Sequence, residues 1–314
     1  MMDRFLRPNL VRSGFVRTPD RVHLYWRAVG QGPLLVCCNG VGVSTFFWKY
    51  LVDHFSDRYT VVLWDYRGHG RNEKRLDLEH TDFSIGRHAE DLQLVLDSVR
   101  GGDEPVIVAG HSMGCQVALE YHRRYPQRVR ALILQQGTAG HVLDTFYGNP
   151  RSPLFIGALK KLAFKAGRAS NLFVRPLLLS PAAELVGFKA RLVDPDRARR
   201  EDLENYLRHL GAMDQRVFLA CVWEAQLHSC WETLPQIQVP VLVIAAEHDT
   251  FTPIACSRRV AREIPGADLL ELMGATHAAL IEQPQTINER LERFFAERLG
   301  DGAQTGANQA QAAK

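Results

Sequence analysis

Val106-Ile107-Val108-Ala109-Gly110-His111-Ser112-Met113-Gly114 runs from four apolar residues into a glycine-flanked serine, and a helical pattern then continues to Arg124, just before Tyr125-Pro126. The five-residue pattern Gly-x-Ser-x-Gly is weak by itself. Its setting makes it informative, because a strand that turns at once into a helix forces the central residue into an exposed, strained conformation. The same turn puts Ser112 at a helix N-terminus, where backbone N–H groups and the helix dipole favour a developing oxyanion. Ser112 is therefore the candidate nucleophile.

Working outward, strand-length apolar runs alternate with amphipathic helical stretches. The strand candidates are Phe15–Thr18, Val22–Val29, Leu34–Cys38, Thr60–Trp64, Val106–Ala109, Ala131–Gln135, Val241–Ala245 and Asp268–Leu272. The later runs are short and unalternated, the pattern of strands buried on both faces of a parallel sheet. Helices are predicted over Ser44–Phe55, Ser84–Val99, Met113–Arg124, Ile254–Ile264 and Thr286–Arg298. The fold class is thus α/β, a mostly parallel eight-stranded sheet with helices on both faces. The first two strands, joined through Pro19-Asp20, read as an antiparallel hairpin at its edge. The rhythm breaks over residues 140–234, where helical patterns replace strand–helix units. This predicts a core of 1–139 and 235–299, a helical insertion at 140–234 and a disordered tail at 300–314, whose side chains are too small and polar to pack.

A serine hydroxyl needs a base, and the base needs an orienting acid. Asp249 follows the strand Val241–Ala245, and His277 follows Asp268–Leu272. Both fall at the sheet edge that carries Ser112, where open sheets place their sites. The order Ser112, Asp249, His277 matches one known triad architecture. Glu247 and His248 are the competitors in the acid loop. Glu247 lies nearer the strand, and His248 cannot easily be held by Asp249 and also reach Ser112. A second turn, Asn39-Gly40-Val41-Gly42-Val43-Ser44, can offer a backbone N–H that joins the Met113 N–H around an oxyanion. Asp65, Arg67 and His69, in Asp65-Tyr66-Arg67-Gly68-His69-Gly70, read as polar organisers of a further loop.

Composition removes several classes. Lys+Arg 38 against Asp+Glu 35 gives a net charge of +3 over 314 residues, no case for nucleic-acid binding. No apolar run reaches the ~18–20 residues of a spanning helix, and the N-terminus lacks a secretion-type apolar stretch. Cys37, Cys38, Cys115, Cys221, Cys230 and Cys256 show no metal-ligand spacing and read as free thiols in a reducing cytoplasm. No cofactor or metal is expected.

Taken in order, Asn39-Gly40, Asp65-x-Arg67-Gly68-x-Gly70, Gly110-His111-Ser112-Met113-Gly114, Asp249-x-x-x-Pro253 and Gly274-x-x-His277 make the chain resemble the α/β-hydrolase superfamily, in particular a serine esterase or lipase-like member with a helical cap. The resemblance covers about residues 13–137 and 236–299. It implies Ser112 as nucleophile, His277 as base then acid, Asp249 as orienting carboxylate, and the Val41 and Met113 N–H groups as oxyanion hole. Two positions depart from the family: Asn39 stands where His is usual, and Asn72 where a small hydroxyl residue is usual.

The expected reaction is hydrolysis of carboxylic esters of small or medium apolar acids. The alternatives are a small-molecule receptor on the same fold, or a triad enzyme of another type: C–C hydrolase, lactonase, perhydrolase or acyltransferase. Between Arg151 and Arg191 the charge balance is +7. This segment is a candidate for weak contact with an anionic membrane surface or an acidic head group. The plainer expectation is a cap helix whose apolar stripe, Phe155, Leu159 and Leu162, packs on the sheet domain while Lys160, Lys161 and Lys165 face water.

Overall fold

In a computed structural model, which describes residues 10–73, 76–189 and 192–301, eight strands form one sheet. They are β1 (Val11–Arg17), β2 (His23–Val29), β3 (Leu34–Cys38), β4 (Thr60–Trp64), β5 (Val106–His111), β6 (Val129–Gln135), β7 (Val241–Ala246) and β8 (Asp268–Leu272). The helices are α1 (Lys49–Phe55), α2 (Ile85–Val99), α3 (Met113–Arg124), α4 (Ser152–Ala166), α5 (Ala169–Leu178), α6 (Pro181–Lys189), α7 (Arg200–Ala212), α8 (Gln215–Leu227), α9 (Ile254–Glu263), α10 (Ala279–Glu282) and α11 (Pro284–Leu299).

The strand order is β1-β2-β4-β3-β5-β6-β7-β8, with β2 antiparallel to both of its neighbours, β1 and β4, and the other five pairings parallel. The chain moves outward from β3 to β4 and then crosses back to the other side of β3 as β5. The order therefore reverses between β3 and β5, and the loops leaving these two strands diverge to form a crevice at their C-terminal ends. Those loops are the Asn39–Ser44 turn and the Ser112 elbow.

Both sheet faces are covered, which explains the unbroken apolar runs. Along β3, Val36 and Cys38 join the core under α2 and α3, while Leu35 and Cys37 join the core under α1 and α11. Helix α2 follows its 3–4 spacing, burying Ile85, Ala89, Leu92, Leu96 and Val99, and the Ser84 Oγ caps it by accepting from the Arg87 N–H at 3.2 Å. All six cysteines are free.

Several expectations change. Strand β1 starts at Val11, four residues before the predicted Phe15, because its first residues are exposed and carry little apolar signal. The helix predicted from Ser44 is a 3₁₀ turn, Thr45–Trp48, followed by α1. Strand β8 is not buried on both faces. It closes the sheet, and Leu269 is exposed. Gly300 and Asp301 belong to the fold rather than to a loose tail: Asp301 accepts hydrogen bonds from Arg130 and from the Tyr59 hydroxyl. Residues 302–314, the rest of the expected tail, lie outside the described residues. Among the described residues five α-helices, α4 to α8, and three 3₁₀ turns lie between β6 and β7.

Candidate active site

Ser112 sits between β5 and α3 with φ 56° and ψ −122°, a strained geometry for a residue with a side chain. Such a conformation costs about 1–3 kcal/mol and persists only where packing imposes it. The imposing contact is the approach of α3 to β3. A Cβ placed on Gly114 would lie 2.1 Å from the Cys38 carbonyl oxygen, so only glycine allows the helix to start this close to the sheet.

His277 and Asp249 meet across two loops, Nδ1 to Oδ2 at 2.8 Å. The Asp249 side chain is wholly buried. Its Oδ1 accepts from the Phe251 N–H at 2.8 Å and the Thr252 N–H at 2.9 Å. The Thr252 hydroxyl lies 3.0 Å from Oδ2 and 2.7 Å from the Gln136 carbonyl and has one proton to offer these two acceptors. Asp249 can therefore hold the His277 Nδ1–H, which leaves Nε2 free as an acceptor. Ser112, His277, Val41 and Met113 all line one cavity. Neither competitor in the acid loop does: Glu247 accepts from the Gly274 N–H at 2.7 Å and holds the turn before His277, and His248 is exposed.

Val41 and Met113 both line the cavity, and their amides make no hydrogen bond to the protein among the described residues, which leaves two backbone donors available there. The next donor, Gly42 N–H, is bound to His69 Nε2 at 3.2 Å, while His69 Nδ1 donates to the Arg67 carbonyl at 3.0 Å. Asn39, in place of the family's His, donates to the Trp64 carbonyl at 2.6 Å and accepts from Trp48 Nε1 at 2.8 Å. Asn72 likewise fills its site: its amide donates to the Asp65 and Tyr66 carbonyls and its oxygen accepts from the Tyr25 N–H at 2.6 Å. The loop itself is anchored by a buried ion pair. Arg67 binds Asp91 of α2 through Nε at 2.6 Å and Nη2 at 2.8 Å, and it also pairs with Asp20, whose carboxyl it holds well below the usual range. Asp65, Arg67 and His69 are thus buried organisers of the oxyanion-side loops, as their positions suggest.

Two residues missed by sequence reasoning support the histidine. His111 Nε2 donates to the His277 carbonyl at 2.9 Å, and burial pushes its pKa down to about 3, so the ring stays neutral. Glu282 accepts from the Thr276 N–H at 2.8 Å and from the Asp194 N–H at 2.7 Å, tying the histidine loop to the inserted segment.

The rest of the cavity wall is apolar. Phe47 and Val43 come from the core, Ile156, Phe218 and Val222 from the inserted helices, and Phe251 stacks 4.8 Å from the His277 ring. Its volume is about 1020 Å³ including the open mouth. Tyr206 is the cavity's polar group from the inserted helices, with burial raising its pKa to about 12. Elsewhere, Glu120, His228 and Cys230 bring potential ligand atoms within 4.8 Å of one another. Glu120 is already paired with Arg123 and Arg124, whose charges oppose a cation, and none of the three lines the cavity.

This fold and site define a class, and the chain belongs to it: residues 33–284 match the model of the alpha/beta hydrolase fold family. Among curated proteins it is similar to "Putative carbamate hydrolase RutD" of Escherichia coli O9:H4 (strain HS), 27% identical over 272 residues, covering 86% of this chain and 93% of the relative. The protein of that name from Agrobacterium fabrum is 26% identical over 275 residues, 87% of this chain and 96% of the relative. Among solved structures, the enol-lactonase from Burkholderia xenovorans LB400 superposes with a TM-score of 0.73 at 21% identity, covering 90% of this chain and 100% of that one. At that identity the likeness speaks for the fold. The chain is a hydrolase of this family. Among the described residues no helix is long and apolar enough to cross a membrane.

Proposed function

We propose that this chain is a serine hydrolase that cleaves carboxylic esters of apolar, small-to-medium acyl groups. The observation that carries the reading is the 2.8 Å His277–Asp249 bond at the wall of an apolar cavity shared with the strained Ser112. His277 Nε2 takes the proton of the Ser112 hydroxyl as its oxygen attacks the ester carbonyl. The tetrahedral oxyanion forms opposite the Val41 and Met113 N–H groups, which need no reorganisation to receive it. His277 then passes the proton to the departing alkoxide, leaving an acyl-Ser112. Water, deprotonated by the same nitrogen, releases the acid and restores the serine. Segment 140–234 acts as the cap, whose Ile156, Phe218 and Val222 shield the acyl chain from water.

The apolar lining favours an ester over the polar carbamate in the name of the curated relatives. The test is a panel of p-nitrophenyl esters of increasing acyl length, with a lactone, a thioester and a carbamate included. The proposal expects multiple turnover, with kcat/KM rising from acetyl towards medium chains. Turnover of the carbamate alone would replace it, and a single slow turnover on every compound would favour a receptor.

A further inference from the structure

The inserted helices do not hide their apolar side chains. Of the fifteen large apolar residues exposed among the described residues, eight fall between Leu154 and Leu185. Leu154, Phe155 and Leu162 of α4 are 76, 70 and 63% exposed, and Leu172 and Leu177 of α5 are 73 and 63% exposed. In α4 the 3–4 spacing of Phe155, Leu159, Leu162 and Ala166 does make one stripe, but that stripe faces outward, against the plainer sequence expectation. The inward face carries Ile156, which lines the cavity, and Gly157, packed against Trp223 of α8. Lys160 also points inward, its Nζ 5.6 Å from the Trp223 ring.

The charge of this segment is nearly all of one sign, eight basic residues against Glu184 over 151–191. Lys161, Lys165, Arg168, Arg175 and Lys189 are exposed, and none makes an ion pair among the described residues. Lys161 and Lys165, four apart, flank the α4 stripe on one side. Residues 151–191 carry +7 in a chain whose total is +3, so the rest of the molecule is net acidic at −4. A second copy docking through this face by a two-fold axis would set +7 against +7, which opposes self-association. A surface that is apolar and anionic together satisfies both properties.

We infer that α4 to α6 form a docking face for an anionic lipid bilayer. The leucines and Phe155 enter the headgroup–acyl boundary, and the basic side chains meet the lipid phosphates. Helix α4 then has one side in the membrane and Ile156 on the cavity wall. The docking rests on the outer face alone and does not depend on the chemistry at Ser112.

Sedimentation with vesicles tests it, comparing pure phosphatidylcholine with phosphatidylcholine containing phosphatidylglycerol. The chain should bind the anionic vesicles and lose affinity as salt rises. The variant K161Q/K165Q/R168Q should bind them about 100-fold more weakly, roughly five-fold for each cation near the surface. The variant F155S/L162S should lose at least about ten-fold and keep its net charge. Both variants, being changes at exposed positions, should match the parent on a short soluble ester, and Ser112→Ala should bind vesicles like the parent. Equal vesicle binding by the parent and both variants, or no parent binding at low salt, would overturn the inference. So would concentration-dependent dimerisation abolished by F155S/L162S, or salt-sensitive capture of an acidic protein without vesicle binding.

Discussion

Replacing Asp249 by Asn should nearly abolish activity while leaving the fold intact, and the local hydrogen bonds dictate why. Asp249 Oδ1 accepts two backbone N–H groups, from Phe251 and Thr252. An amide NH₂ cannot sit there, so the Asn oxygen must take that position and its NH₂ must take the place of Oδ2. One of its hydrogens then meets Thr252 Oγ1, whose own proton turns to the Gln136 carbonyl. The other points at His277 Nδ1, now 2.8 Å from a donor instead of an acceptor. His277 must move its proton to Nε2, and a protonated Nε2 cannot take the Ser112 proton. Loss of the correct tautomer in this arrangement costs about 10⁴-fold in kcat, or ~5.5 kcal/mol of transition-state stabilisation. Steady-state hydrolysis of a short p-nitrophenyl ester, with urea unfolding as the control for folding, measures it. Less than a ten-fold loss for Asp249→Asn, or a large loss for Glu247→Gln, would refute the reasoning.

Asp91→Ala removes one of the two carboxylates that hold the buried Arg67 guanidinium and leaves it Asp20 alone, which should destabilise the chain by about 2–3 kcal/mol in urea unfolding; a loss below about 1 kcal/mol would contradict this. Asn39→Ala strips the Trp48 indole N–H and the Trp64 carbonyl of their partner and should cost about 2–4 kcal/mol, with a fall in kcat from a looser oxyanion-side turn. Burial lowers the pKa of His88 well below normal and that of His111 to about 3. The unfolded chain protonates both near pH 6.5 and the folded chain does not, so stability should be level above about pH 7 and fall between about 6.5 and 4, by up to ~1.4 kcal/mol per pH unit per ring. His88→Leu should make that fall shallower, read from urea midpoints at pH 7 and pH 5.

The parallel sheet and the placement of Ser112, Asp249 and His277 were legible because each follows a strand whose apolar run is unmistakable, so position along the chain translates directly into position at one sheet edge. Residues that act by reaching across elements were not. His111 beneath His277 and Glu282 beneath Thr276 are joined by contacts that periodicity does not encode, and His69, legible as a loop organiser, finds its partner Gly42 the same way. Asn39 and Asn72 were visible as departures from a family pattern, but their role needed the carbonyls of Trp64, Asp65 and Tyr66 in place. The α4 stripe shows a different limit. Spacing shows that Phe155, Leu159 and Leu162 share a face, and it cannot say whether that face meets the core or the solvent. The apolar wall that holds α4 is instead built from its other side, around Ile156 and Gly157.

The central claim is that Ser112 is the acylated nucleophile. Incubation with a fluorophosphonate probe, followed by intact-mass and peptide mass spectrometry, tests it most directly. The account predicts one adduct per chain, mapped to the peptide spanning Gly110–Gly114, absent in Ser112→Ala and formed much more slowly in His277→Ala. An adduct retained in Ser112→Ala, or labelling of the parent at another serine with Ser112 unmodified, would contradict it.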